Sequence, residues 1–188
     1  MKHSIVDGIL IIDDVFTKDE LILIDKELDM LRPKMKNHIY NGSGGSVERV
    51  VLDQFYKGRR EDSTILPLIP KKIFSEETIE ITKNIHDLSY QLLKMKCRYD
   101  TLYTRIDNGI LKHIDFSFDG SIHEWNGRSL SYIWYTGKNV IGGELVVDET
   151  VIEPKYNRMV VLPSYRTHFV RPCKSKNRYS VHGNILFR

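Results

Sequence analysis

Four side chains in the second half of the chain are of the types that hold a metal ion and an anion. They are His113 and Asp115 in Leu111-Lys112-His113-Ile114-Asp115, His168 in Thr167-His168-Phe169-Val170, and Arg178 in Asn177-Arg178-Tyr179-Ser180. On a β-strand, side chains two apart point to the same face, so one strand would bring His113 and Asp115 together. Two imidazoles and one carboxylate make the facial triad that binds non-haem Fe(II) and leaves coordination positions open. The second imidazole must come from another strand, and His168 supplies it. Arginine forms a bidentate, charge-assisted pair with a carboxylate that lysine does not reproduce, so Arg178 would anchor an acidic co-substrate. Taken alone, an H-x-D tripeptide arises by chance, a single histidine is more often structural, and a single arginine more often a surface residue. The ordered set carries the reading: H-x-D, then His, then Arg ten residues later. His123, His182 and Asp119 have no place in that order and are read as non-ligands.

These residues need a rigid frame. From Cys97 onward the chain reads as short strands punctuated by turns: Arg98–Ile106, Gly109–Asp115, Ser129–Thr136, Gly143–Asp148, Met159–Leu162, Thr167–Pro172 and Arg178–Phe187. Before them come a strand-like run from Ile5 to Val15 and a helix opened by Thr17-Lys18-Asp19-Glu20, a capping box. Leu21, Ile24, Leu28 and Leu31 continue it at helical spacing to about Arg32, where Pro33 stops it. Pro67 and Pro70 break the chain, and a second helix runs from Ser75-Glu76-Glu77-Thr78 to about Lys96. Residues 37–62, with Asn41-Gly42-Ser43-Gly44-Gly45-Ser46 and the basic trio Lys57, Arg59 and Arg60, read either as a solvated surface loop or as a lid over the site. Helices followed by many short strands give an α+β chain whose second half is a barrel or double-sheet jelly roll. Without repeat or linker, it reads as one domain, with residues 1–96 as helical support and lid and 97–188 as the barrel core.

Asp107-Asn108-Gly109 reads as the turn of a hairpin, in one of two registers. A two-residue turn sets Thr104 opposite His113; a three-residue loop with Gly109 left-handed sets Tyr103 there. The second is favoured because it gathers Tyr103, His113 and Asp115, although Tyr103 reads equally well as ordinary core. Alternation also decides Tyr135: if it lines the pocket, so does Ile133, and Trp134 packs outside.

Composition narrows the classes. The chain has 188 residues, 41% hydrophobic and 28% charged. A formal charge of +3 is too small to imply a nucleic-acid or membrane partner. No apolar run approaches the roughly 20 residues of a membrane helix, and Met1-Lys2-His3-Ser4-Ile5 does not open a secretory signal. Cys97 and Cys173 form no C-x-x-C and read as thiols of a reducing compartment. A cytoplasmic protein is expected.

With these residues in view, the stretch from about Arg98 to Phe187 resembles the 2-oxoglutarate- and Fe(II)-dependent dioxygenases, in their prolyl 4-hydroxylase-like branch. The resemblance rests on Tyr103 ten before His113, on His113-Ile114-Asp115, and on Arg128-Ser129-Leu130-Ser131-Tyr132-Ile133-Trp134-Tyr135. It continues in Gly142-Gly143-Glu144-Leu145, Ile152-Glu153-Pro154-Lys155-Tyr156-Asn157-Arg158, His168-Phe169-Val170 and Arg178-Tyr179-Ser180. It implies a double-stranded β-helix, cupin-like, buttressed by the N-terminal helices. It implies Fe(II) on His113, Asp115 and His168, and 2-oxoglutarate with its far carboxylate on Arg178. Tyr135 and Tyr103 fall where the branch supplies polar contacts to the co-substrate. O2 is the other co-substrate, with ascorbate as an accessory cofactor. The segment Phe116–Gly127 and His182, where the family is often apolar, depart from the pattern. The activity implied is hydroxylation of a protein or peptide side chain, proline first, with release of succinate and CO2. The alternatives are the same chemistry on a free amino acid, another small molecule or a nucleic acid, or a silent barrel acting as a binding module. Nucleic acid is disfavoured by the small charge.

Overall fold

The apolar run Ile9-Leu10-Ile11-Ile12 has no polar alternation, which is the pattern of a strand covered on both faces. That is its place in the computed structural model, which describes residues 1–39, 46–82, 98–115 and 129–186. The expected strand from Ile5 to Val15 is two, β1 (Lys2–Val6) and β2 (Ile9–Asp13), reversed at Asp7-Gly8 where both φ are positive. Further strands are β3 (Lys36–Ile39), β4 (Ser46–Val51), β5 (Arg98–Arg105), β6 (Ile110–His113) and β7 (Ser129–Tyr135). Then come β8 (Leu145–Val147), β9 (Thr150–Ile152), β10 (Met159–Pro163), β11 (His168–Val170) and β12 (Tyr179–Leu186). They form two antiparallel sheets: eight strands in the order β1-β2-β10-β7-β12-β5-β4-β3, and four in the order β6-β11-β8-β9. This mixed, antiparallel architecture is that of a double-stranded β-helix with few helices.

The large sheet buries both faces. Leu10, Ile12, Tyr103, Tyr132, Trp134, Met159, Val161 and Val181 pack against the helices. Their neighbours in sequence turn the other way: Ile9, Tyr135, Val160 and Leu162 join Leu145, Val147, Ile152 and Val170 of the small sheet. Each fully buried aliphatic or aromatic side chain contributes about 1.5–3 kcal/mol, so both layers are needed to hold the sheet.

Helix α1 (Lys18–Leu31) has the expected capping box: Thr17 Oγ1 accepts from the Glu20 amide at 3.3 Å, and Glu20 Oε2 accepts from the Thr17 amide at 2.8 Å. Next come α2 (Leu52–Phe55), α3 (Ile65–Ile73) and α4 (Glu76–Thr82). Pro67 and Pro70 do not break the chain; both lie inside α3. Pro70 cannot donate to the Leu66 carbonyl, and Arg60 Nη2 donates there instead, at 3.3 Å. The start of α3 is capped by buried Glu27, which accepts from the Thr64 and Ile65 amides and from the Tyr56 and Ser63 hydroxyls. The expected continuation of α4 to Lys96 lies outside the described residues, as do Cys97, Asn41–Gly45 and Phe116–Gly127.

The N-terminal half supplies more than helical support. Strands β1 to β4 extend the large sheet on both sides. Among its described residues, the segment expected as loop or lid holds two sheet strands followed by α2. Two of its basic trio are engaged elsewhere: Arg59 pairs with Asp62 at 2.9 Å and Arg60 with Asp53 at 2.6 Å.

Candidate metal and co-substrate site

Asp107-Asn108-Gly109 does not turn a hairpin. Strand β5 belongs to the large sheet and β6 to the small one, so this turn carries the chain from one sheet to the other. Neither expected register exists. Gly109 is required because a Cβ there would stand 2.5 Å from the Val170 carbonyl oxygen, at φ +78.

The crossing has a consequence for the site. Strand β6 now pairs with β11, and His113 lies directly opposite His168. Their ring centroids are 4.4 Å apart. Each ring is oriented by its Nδ1: His113 Nδ1 donates to the Leu111 carbonyl at 2.8 Å, and His168 Nδ1 to the Arg166 carbonyl at 2.9 Å. With the proton on Nδ1, each Nε2 presents a lone pair, the form a metal requires. Both Nε2 atoms lie 3.5 Å from the same Asp115 oxygen, Oδ1. The ligand atoms of His113, Asp115 and His168 all fall within 4.8 Å of one another. Asp115 sits two residues beyond His113, just past the end of β6, held by its amide donating to the Ser164 carbonyl at 3.2 Å.

The other Asp115 oxygen, Oδ2, accepts from the Ser131 hydroxyl at 2.5 Å. Ser131 Oγ also lies 2.9 Å from Ser164 Oγ and 2.8 Å from Asn184 Oδ1. A hydroxyl has one proton, and the carboxylate takes it, so the Asn184 amide serves Ser131 with its NH2 turned inward. Burial opposes ionisation of Asp115, but in the metal-free site, where an Nε2 proton can point at the carboxylate, hydrogen bonds from His113 and His168 together with that from Ser131 outweigh it and hold the carboxyl far below the usual range. Burial likewise works against charge on His168, and Asp115 outweighs it and raises the imidazole pKa.

Arg178 is 1% exposed, an unusual place for a guanidinium without an acid. Its Nε donates to the Gly143 carbonyl at 2.6 Å. Its Cζ lies 5.1 Å from the centre of the Tyr135 ring, a cation–π contact, and Nη2 is 3.5 Å from the Tyr135 hydroxyl. Nη1 is buried and has no partner among the described residues. A buried unpaired polar atom costs on the order of 1–3 kcal/mol, more for a charged group. A carboxylate delivered from outside would remove that cost, so the donor set fits an acidic co-substrate. Tyr135 and Ile133 face the small sheet and Trp134 the helices, as alternation requires.

Tyr103 is not in this pocket. It packs on the helical face of the large sheet, where its hydroxyl accepts from Arg32 Nε at 3.2 Å and its ring stacks on Tyr179. The hairpin register that placed it beside His113 does not form. Thr104, its neighbour, points inward and meets Ser180 at 3.2 Å.

The motif reading gives no role to Ser131, Ser180 and Asn184, weighs Thr104 only as an alternative register and notes His182 only as a departure. The signal was present. Ser180, His182 and Asn184 are polar at every second position of β12, in step with Arg178 just before it and between Tyr179, Val181 and Ile185. That is a polar inner row where a barrel normally has apolar side chains. His182 Nε2 is buried and unpartnered among the described residues. Burial pushes its imidazole down to about 4; Asp115 acts in the opposite direction, and Arg178, Arg49 and His168 add to the lowering.

Residues 101–186 match the family model described as the 2OG-Fe(II) oxygenase superfamily. That family uses Fe(II), 2-oxoglutarate and O2, and the His113, Asp115 and His168 cluster is the ligand set it needs. No curated protein matches the chain. Among solved structures, the chain is similar to a prolyl hydroxylase from Trichoplax adhaerens in complex with a hypoxia inducible factor oxygen degradation domain peptide fragment. The TM-score is 0.65 at 13% identity, covering 97% of this chain and 84% of that one. It is also similar to a Pseudomonas putida prolyl-4-hydroxylase, with TM-score 0.61, 15% identity, and 96% and 93% coverage. A third similar fold is the non-heme alpha ketoglutarate dependent epimerase SnoN from nogalamycin biosynthesis, with TM-score 0.63, 12% identity, and 96% and 77% coverage. At these identities the likeness is one of fold. Among the described residues, no helix is long and apolar enough to cross a membrane.

Proposed function

We propose, on the premise that residues 101–186 belong to the 2OG-Fe(II) oxygenase superfamily, that this chain hydroxylates a side chain of a protein or peptide, proline first, with release of succinate and CO2. The observation that carries the reading is the meeting of two features in one pocket. One is a metal-ready His113, Asp115 and His168 cluster. The other is the buried, unpaired Nη1 of Arg178. His113, Asp115 and His168 would hold Fe(II), which with 2-oxoglutarate and O2 would supply the oxidation, one oxygen atom going to succinate as CO2 leaves and the other to a C–H bond of the substrate.

The chain's own residues perform the binding and orientation. His113 and His168 offer neutral Nε2 atoms because backbone carbonyls hold their Nδ1 protons. Asp115 offers one oxygen to the metal while Ser131 fixes the other. Arg178 takes the far carboxylate of the co-substrate, with Tyr135 beside it. The apolar layer of Leu145, Val147, Leu162 and Val170 keeps bulk water away from the inner wall. Leu111 and Ile114, close in sequence to His113 and Asp115, are exposed apolar side chains that a peptide substrate could cover. The fold likeness to two prolyl hydroxylases supports the peptide reading. The comparable likeness to SnoN supports a second reading, the same chemistry on a small molecule.

The test is anaerobic titration of metal-free protein with Fe(II) and then 2-oxoglutarate, following the visible charge-transfer band of a chelated 2-oxo acid. The band is expected in the wild type, absent in His168→Ala, and shifted to much higher 2-oxoglutarate in Arg178→Ala. Proline-containing peptides and small amino acids, scored by substrate-dependent succinate release and product mass, then separate the two substrate classes. A wild-type protein that gives no band overturns the reading.

A further inference from the structure

Arg178 and the inner row of β12 that follows it carry four polar side chains, and three have evident work. Arg178 faces Gly143 and Tyr135, Ser180 meets Thr104, and Asn184 meets Ser131, which in turn holds Asp115. His182 is left over. It lies between Ser180 and Asn184, on the stretch of wall that separates the Arg178 anchor from the Asp115 end of the site. It shares its face of β12 with Ser180 and Asn184, whose side chains meet Thr104 and Ser131, and the charged and titratable groups that act on it are Asp115, Arg178, Arg49 and His168. Its Nε2 is buried with no partner among the described residues. Across the strand pairs it is flanked by Leu102 and Ile133, which offer no side-chain partner. Two buried polar atoms on one wall are therefore unsatisfied, Arg178 Nη1 and His182 Nε2. A 2-oxo dicarboxylate has two anionic ends to offer.

We propose that His182 is a second co-substrate contact, its imidazole N–H donating to the oxo-acid end of the 2-oxoglutarate whose far carboxylate Arg178 holds. This rests on the oxygenase reading above. The ring is neutral and so can donate from one nitrogen. Donation from Nε2 places the proton on the atom that lacks a partner. A leucine here would pack as well and donate nothing, so the imidazole is a specificity device: it favours ligands with a carboxylate next to the ketone over those with the far carboxylate alone.

The test compares wild type, His182→Leu and His182→Gln, each loaded with Fe(II) anaerobically. The readouts are the 2-oxoglutarate affinity and the position of the charge-transfer maximum. His182→Leu is expected to weaken 2-oxoglutarate about tenfold, the loss of one hydrogen bond to a charged group, and to move the maximum. His182→Gln, which keeps a donor near Nε2, restores most of the affinity. Binding of 4-oxopentanoate, which keeps the ketone and far carboxylate but lacks the carboxylate beside the ketone, is expected to be the same in wild type and His182→Leu. Fe(II) affinity without co-substrate is also expected to be unchanged, since His182 is not a ligand. Should the leucine variant not fold, ring nitrogen spectra of the wild-type, Zn(II)-loaded protein give the same answer: the His182 N–H proton shifts downfield on adding 2-oxoglutarate and not on adding 4-oxopentanoate. Equal 2-oxoglutarate affinity and an unmoved maximum in His182→Leu overturn this proposal alone. Absence of the band from the wild type overturns the oxygenase reading with it.

Discussion

A Cβ on residue 143 would stand 2.6 Å from Cδ of Arg178 and 3.3 Å from its Nε, so Arg178 reaches the pocket only because residue 143 is glycine. The same glycine has φ +72 and gives its carbonyl to Arg178 Nε. Gly143→Ala should therefore displace the guanidinium, in addition to about 1–2 kcal/mol of backbone strain. We expect 2-oxoglutarate affinity to fall by about tenfold or more, the effect of about 1.4 kcal/mol, with Fe(II) affinity retained. Calorimetric titration of each in turn checks this.

Ser131 acts on the metal through Asp115. Ser131→Ala leaves Asp115 Oδ2 without its 2.5 Å hydrogen bond and frees the carboxylate to rotate. Loss of such an outer partner typically costs about 10–100-fold in metal affinity. Competition with a chromogenic chelator measures it. Unchanged Fe(II) binding would show that His113 and His168 alone fix the carboxylate.

Tyr103 gives the opposite expectation. Its hydroxyl serves Arg32 on the helical face. Tyr103→Phe should leave 2-oxoglutarate binding untouched and cost about 0.5–1.5 kcal/mol of stability, the net worth of one hydrogen bond. Denaturant unfolding and the band titration, run on the same sample, separate the two.

His182 makes stability depend on pH in a definite direction. Its folded pKa is lowered to about 4 from 6.5. Between those values the unfolded chain binds a proton that the folded protein refuses, so stability falls as pH drops from 6.5 toward 4 and is unaffected above. His168, raised by Asp115, contributes in the other sense: stability present below its unfolded pKa and lost as pH rises through the folded one. Melting curves of metal-free wild type and His182→Leu isolate the first effect, since His168 is common to both. The variant should lose less stability across that acid window.

Much of the site was legible because its chemistry is concentrated in few residues. His113, Asp115, His168 and Arg178 are recognisable by type and order without knowing which strands pair. The Thr17–Glu20 cap was legible because it is local. Tyr103 was not, because its face depends on pairing. A turn sequence such as Asp107-Asn108-Gly109 states that the chain reverses and not whether the two strands remain hydrogen-bonded to each other. Here β5 pairs with β4 and β12 instead. Pro67 and Pro70 misled for a similar reason: the carbonyl that Pro70 abandons finds Arg60, a partner no local rule supplies. β2 and β4 were hard to bound from sequence because each gains its stability from a distant neighbour, β2 from β10 and β4 from β5.

That last pairing bears on how the protein can be dissected. A fragment trimmed to 101–186 would keep every metal ligand and Arg178. It would also strip β2 from β10 and β4 from β5, leaving a four-strand remnant with two bare hydrogen-bonding rims. The face bearing Tyr103, Tyr132, Trp134 and Val181 would lose the helices that cover it. Bare rims beside an uncovered aromatic face invite chains to stack on one another. The shortest stretch that carries His113, Asp115, His168 and Arg178 is thus not the shortest stretch that keeps the sheet paired, and a fragment cut from this chain would have to bring β2 and β4 along.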